Sequence, residues 1–156
     1  MINIIAAIGK NNELGLNNKL IWYLPNDLKF FKEKTNNQII VMGYNTYLSL
    51  GRILPNRTHV VLTHQKINLP DEVIQFNNLE DLLKYIEDKN VFIIGGASVY
   101  KLFINKADNL YLTEIDATHE ADVYFPKFDK KIFDKEILGK NNDNGISYQF
   151  TLYKRR

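Results

Sequence analysis

Val91-Phe92-Ile93-Ile94-Gly95-Gly96-Ala97-Ser98-Val99 decides the architecture. Four consecutive apolar residues bury both faces of a strand, as a parallel strand inside a sheet requires. The glycine pair ends the strand, and a helical pattern begins at Ala97. The same order recurs at Ile39-Ile40-Val41-Met42-Gly43, which runs into Tyr44-Asn45-Thr46. Both junctions would set free backbone N–H groups and a positive helix end beyond the carboxyl ends of parallel strands. Anionic groups such as a pyrophosphate bind there. The plain alternative is a tight strand-to-helix turn that uses glycine for its backbone angles. Neither junction has the Gly-x-x-x-x-Gly-Lys-Ser/Thr spacing of a P-loop, and the dinucleotide fingerprint spacing is absent too.

Outward from these junctions, short apolar runs alternate with helical patterns. Strands are predicted over 1–8, 39–43, 58–63, 73–76, 91–95, 109–116, 132–138 and 146–154, and helices over 25–34, 44–50, 78–87 and 97–104. Pro25 suits a first helical position. Asn78-Leu79-Glu80-Asp81 resembles a capping box, followed by the apolar stripe Leu79, Leu82, Leu83 and Ile86. Ser98 would cap the fourth helix or lie in its first turn. Lys140 to Gly145 reads as a long loop joining the last two strands. The order βαβαββαβ followed by β-rich sequence predicts an α/β fold with a mixed, mostly parallel sheet covered by helices.

At 156 residues the chain is the size of a single domain, 1–156, with enough length for a core. Hydrophobic residues are 45% and charged residues 24%, which excludes disorder as the main state. The absence of cysteine excludes thiol catalysis, disulfides and thiolate metal sites. A net charge of +2 is too balanced to make nucleic acid or a membrane surface the main partner. No apolar run approaches the ~18 residues of a membrane span, and the first eight residues lack the basic flank of a leader. The cytoplasm is the expected compartment. Glu13, Asp116, Asp122 and the histidines form no metal-ligand spacing, so no metal is expected.

Two segments could carry chemistry. In Trp22-Tyr23-Leu24-Pro25-Asn26-Asp27-Leu28-Lys29-Phe30-Phe31, Asp27 shares a helix edge with aromatic and aliphatic groups. A carboxylate there needs a partner. The alternative is an acidic residue that only complements the macrodipole. In Gly51-Arg52-Ile53-Leu54-Pro55-Asn56-Arg57, two guanidiniums flank a loop. They suit a carboxylate or phosphate, or else a solvated loop. The other two arginines, Arg155 and Arg156, are expected to be solvated on the tail.

Together with Ile5-Ala6-Ala7, Gly15-Leu16-Asn17-Asn18-Lys19-Leu20, Val61-Leu62-Thr63, Tyr111-Leu112-Thr113 and Phe125-Pro126, these stretches resemble bacterial dihydrofolate reductases. The order and spacing hold from the first strand to the last. The resemblance implies an eight-stranded, mostly parallel sheet flanked by four helices. It implies NADPH-dependent reduction of 7,8-dihydrofolate to tetrahydrofolate in one-carbon metabolism, and antifolate inhibitors as ligands.

Residue by residue, the resemblance makes Asp27 the carboxylate that binds the pterin, bridged by Thr113. Hydride would go to pterin C6, and water admitted near Leu20 and Trp22 would protonate N5. Ile5, Ala6, Leu28, Phe31, Leu50, Leu54 and Ile94 would line the substrate slot. Arg57 would hold the glutamate α-carboxylate, with Arg52 at the rim. Ala7, Ile8, Gly15, Leu16, Asn18, Thr46 and Tyr100 would border the nicotinamide half of the cofactor, Tyr100 close to the reacting atoms. Gly43, Gly95, Gly96, Ala97, Ser98 and Val99 would cradle the pyrophosphate, and Leu62, Thr63, His64 and Gln65 would meet the adenosine side. Residues 12–21 correspond to a mobile lid, to which Asp122 bonds. Tyr44, Asn45 and Ser98 replace basic residues that face the 2′-phosphate in the family, so His64, Gln65 or Lys66 would supply that contact. Ala121 replaces a glycine of some members. A pyrimidine reductase of flavin synthesis with a related fold is the competing enzyme reading, disfavoured by Arg57 and the Trp22–Asp27 segment. A non-catalytic nucleotide-binding module is the third. The protein is expected to be a monomer.

Overall fold

The computed structural model describes residues 1–156. In chain order it contains β1 (Ile2–Ile8), β2 (Glu13–Leu16), β3 (Lys19–Leu20), α1 (Pro25–Thr35), β4 (Ile39–Gly43), α2 (Tyr44–Leu50), β5 (Thr58–Leu62) and β6 (Ile74–Phe76). There follow α3 (Leu79–Ile86), β7 (Val91–Gly95), α4 (Ala97–Phe103), β8 (Asn109–Ile115), β9 (Val123–Tyr124), β10 (Phe133–Asp143) and β11 (Ile146–Arg155). Eight strands form one sheet in the order β10-β11-β8-β1-β7-β4-β5-β6. The strands from β8 to β6 run parallel, and β11 and β10 close the other edge antiparallel. This is the predicted mixed sheet with four α-helices.

The apolar strands bury both faces because a core lies on each side. Ile4, Val41, Val60 and Ile93 pack with Leu82 of α3 and Val99 and Phe103 of α4. Their neighbours Ile5, Ile40, Met42, Val61 and Phe92 point the other way, toward Phe30 and Phe31 of α1 and Tyr47 and Leu50 of α2. Period-two alternation therefore separates two apolar sets. The site develops on the second side.

The helix starts are as read. Pro25 occupies the first turn of α1, and the Asn78 side chain accepts the Asp81 N–H at 2.8 Å. Ser98 lies inside the first turn of α4, whose cap residue is Gly96.

Two expectations are corrected, and one feature is added. The last hairpin has no long loop: β10 runs to Asp143, which pairs with Ile146 across Asn144-Gly145. Both turn residues have positive φ, +55° and +81°, as a two-residue hairpin turn with matching twist requires. A second sheet, β3-β2-β9, escaped the sequence reading. Its β2–β3 turn also has two residues of positive φ, Asn17 and Asn18. Arg155 is not solvated. It donates to the Ala107 and Ile104 carbonyls at 2.7 and 3.1 Å and stacks over Phe133, tying the tail to the end of α4.

Candidate active site

Asp27 lies in the first turn of α1, but its carboxylate spans to the sheet. The Thr113 hydroxyl of β8 donates to it at 2.6 Å. The two residues stand 86 positions apart and meet because β8 lies beside β1, at the edge of the cleft that α1 borders. No lysine, arginine or histidine pairs with Asp27. Burial pushes its pKa up, the Thr113 bond pulls it back, and the negative charge of Asp143 adds to the rise. An acid so placed can accept two hydrogen bonds from a flat donor pair and resists carrying its charge without one.

An apolar wall extends from the carboxylate. Ile5 and Leu54 are buried in one cluster, and Phe31, Leu50 and Ile94 pack against it while half-exposed. Leu28 stands at the rim with 41% exposure, and Ala6 is half-buried on β1. These side chains offer an apolar slot with one acidic end.

At the far end of that wall sits Arg57. Its guanidinium donates to Thr35 Oγ1 at 3.0 Å, to the Pro55 carbonyl at 2.6 Å and to the Lys32 carbonyl at 2.7 Å. Guanidinium has five N–H donors, so one on each terminal nitrogen stays free. That pair suits a bidentate carboxylate. Burial lowers the Arg57 pKa from its ordinary value without discharging the group. Arg52 is exposed at the start of the same loop.

The loop is shaped by His59, which the sequence reading passed over. It is 1% exposed, and its Nε2 accepts the Leu54 N–H at 3.1 Å. Burial depresses its pKa, so the ring is neutral and keeps the lone pair that this bond needs. Nothing in the sequence marks it, because its partner is a backbone amide.

The two glycine junctions lie side by side, since β4 pairs with β7 and Met42 stands opposite Gly95. Gly95 has φ +128° and is joined to Gly96 by a cis peptide bond. A Cβ at Gly95 would come within 3.3 Å of the Tyr100 hydroxyl and 3.4 Å of Thr46 Oγ1. A Cβ at Gly43 would meet Val99 at 3.2 Å. Neither α2 nor α4 has a side-chain cap, so no side chain accepts their first N–H groups beside this cradle. Tyr44 and Thr46 are half-buried, while Asn45 and Ser98 are exposed. Beyond β5, Leu62 is buried, Thr63 is half-buried, and His64 and Gln65 are exposed beside the same edge.

Tyr100 is buried, and its hydroxyl donates to the Ile5 carbonyl at 2.7 Å. Burial drives its pKa far above the usual phenol range, so it is a fixed hydrogen-bond donor and not an acid near neutrality. Across the cleft, the 12–21 segment is fastened at two points. Asn17 N–H donates to Asp122 Oδ2 at 3.0 Å, and Asp122 N–H donates to the Gly15 carbonyl at 3.0 Å. Leu16 is half-buried, whereas Asn18 and Leu20 are exposed, Leu20 by 82%. Trp22 packs against Gly9 and stands edge-on to His119. Ala7 and Ile8 end β1 beneath this segment.

Glu13, which fits no metal-ligand spacing in the sequence, has a structural place. It is 1% exposed and accepts the Asn11 N–H at 2.7 Å and the His119 N–H at 2.9 Å. Burial alone would raise its pKa, but these backbone donors prevail and hold it below the ordinary value. It anchors the root of the 12–21 segment. A separate concavity, of about 530 Å³, runs past Lys10, Glu114, Asp116 and Lys135. Lys10 pairs there with Asp116 at 2.8 Å and Lys135 with Glu114 at 3.5 Å, while Lys130 and Lys140 line the same surface without an acidic partner.

The dihydrofolate reductase family model matches residues 1–155. Dihydrofolate reductase from Bacillus subtilis is 37% identical over 164 residues, covering 100% of this chain and 95% of that protein. The enzyme from Buchnera aphidicola of Schizaphis graminum is 39% identical over 161 residues, covering 99% of each. The solved structure of dihydrofolate reductase from Enterococcus faecalis, complexed with NADP(H) and RAB-propyl, superposes with a TM-score of 0.91. It is 35% identical and covers 100% of this chain and 96% of that one. The chain, with its single carboxylate at the head of an apolar slot and its paired glycine junctions, belongs to the dihydrofolate reductase family.

Proposed function

We propose that this chain reduces 7,8-dihydrofolate to tetrahydrofolate with NADPH, transferring hydride to pterin C6 while water protonates N5. The observation that carries the reading is Asp27: a carboxylate bonded to Thr113 at 2.6 Å, without a cationic partner, at the end of an apolar wall. It is complementary to a flat heterocycle with adjacent N–H donors and a greasy body. The residues present also fit the cofactor, because a cradle where a Cβ at Gly43 or Gly95 would crowd Val99 or Tyr100 lies between two uncapped helix starts.

In this reading Gly43, Gly95, Gly96, Ala97, Ser98 and Val99 hold the diphosphate through backbone donors, and Leu62 to Gln65 meet the adenosine side. Thr46, Tyr100 and Ala7 border the nicotinamide, which supplies the hydride when bound. Asp27 accepts two hydrogen bonds from the pterin and favours positive charge on it electrostatically. Thr113 fixes the orientation of that carboxylate. Ile5, Phe31, Leu50, Leu54 and Ile94 exclude water from the slot, and Arg57 binds the substrate's terminal carboxylate. No side chain is placed to protonate N5 directly, so a water entering between Leu20 and Trp22 does so.

The test is an absorbance assay with dihydrofolate and NADPH on wild type and Asp27→Ala. Wild type should turn over, and the variant should lose ~10²-fold or more at neutral pH. Cofactor binding without turnover in the wild type would instead support a binding module. Turnover only of an aminopyrimidine substrate would support the pyrimidine reductase.

A further inference from the structure

Helix α1 carries the site's carboxylate but has no cap of its own. Its cap residue is Leu24, which has no acceptor side chain, and Pro25 has no N–H. The first orphan donor is therefore the Asn26 N–H. That donor is taken from the far end of the chain. Asp143 Oδ2 accepts the Asn26 N–H at 2.9 Å, and Asp143 Oδ1 accepts the Asn26 side-chain amide at 2.6 Å. The Tyr148 hydroxyl donates to the same Oδ2 at 2.7 Å. Asp143 is 6% exposed, although it closes a surface hairpin. The tight Asn144-Gly145 turn fixes its position, and Tyr148 holds its side chain.

We propose that Asp143 is a positioning residue for Asp27: the β10–β11 hairpin caps α1 in trans, sets the height of its first turn against Thr113, and places a second negative charge beside the substrate's anchor. The proposal rests on Asp27 being that anchor. Asp27 is next to Asn26 in the chain, so the cap acts one residue from the reacting pocket. The groups that face Asp27 are Thr113 from β8, the Tyr100 phenol from α4, and Asp143 and Tyr148 from the hairpin. Apart from Asp143 these groups are uncharged near neutrality, and no cation offsets them. The Asp143 charge therefore opposes ionisation of Asp27 and favours positive charge on a ligand bound there.

The test separates charge from capping. Asp143→Asn keeps an oxygen for the Asn26 N–H and Tyr148, and the Asn26 amide can flip to face the new NH₂. Asp143→Ala removes the cap altogether. The Asp27 carboxyl is followed by NMR titration in the ligand-free protein, and turnover by its pH profile. Asp143→Asn should move the Asp27 titration, and the midpoint of the pH profile, to lower pH. Asp143→Ala should do the same and also lower kcat by roughly fivefold, the rate equivalent of a lost cap. An Asp27 titration that stays in place or moves up in Asp143→Asn overturns the proposal. The NMR reading needs no substrate, so it stands or falls separately from the assignment of dihydrofolate.

Discussion

An ionised Asp27 is held where burial opposes its charge, so the native state pays for the site. Its folded pKa lies above the ordinary 3.8, hence the native state binds more protons than the unfolded chain between those two values. Stability from this group falls as pH rises through that window. Asp27→Asn should therefore stabilise the protein at neutral pH by on the order of 1 kcal/mol, even as turnover is lost. In denaturant titrations the gain should vanish below about pH 4. His59 has the opposite effect on the pH dependence. Its folded pKa is depressed below 6.5, so the unfolded chain takes up the proton first, and stability drops as pH falls through that range. His59→Asn should flatten the acid side of the stability curve between about pH 5 and 7. Asp27 was legible in the sequence as an acid on an apolar helix edge. Thr113 came only from the family likeness, and His59 and Asp143 from neither. Their partners are backbone amides or residues 117 positions away, and no local pattern encodes such a meeting.

At the scale of elements, the strands were read where burial imposed a pattern and missed where it did not. β10 is an edge strand whose middle is exposed on both faces, so Lys140 to Asn142 look like loop. Only Asn144-Gly145 marked the turn, and that dipeptide is the stronger signal. Strands β2, β3 and β9 are too short to show any period. Their sheet matters because it carries the 12–21 segment. Glu13→Gln puts an NH₂ group against one of two backbone N–H donors and should cost roughly 1–3 kcal/mol in denaturant unfolding. Asp122→Ala removes the acceptor for the Asn17 N–H. It should raise the hydrogen-exchange rate of residues 15–18 without unfolding the main sheet.

For the whole molecule, likeness over the full chain accounts for why fold and family were readable together. The proposed site for the cofactor's phosphorylated end was less readable, since Tyr44, Asn45 and Ser98 offer no cation. Ligand linkage tests it globally. At 100 times its dissociation constant a cofactor adds about 2.7 kcal/mol, or roughly 5–10 °C in Tm for a chain of this size. NADPH should raise Tm more than NADH at equal concentration, and His64→Ala should narrow the difference. Equal shifts in wild type would show that the 2′-phosphate is not selected.

The order of the sheet has a further effect, during synthesis. β1 is made first, yet its two neighbours, β7 and β8, end at Gly95 and Ile115. A ribosome adding about 5–20 residues per second leaves this greasy opening segment unmated for roughly five to twenty seconds. Nascent chains arrested before residue 109 should therefore remain open to proteases at their amino end, and docking of the first strand should be among the last events of maturation.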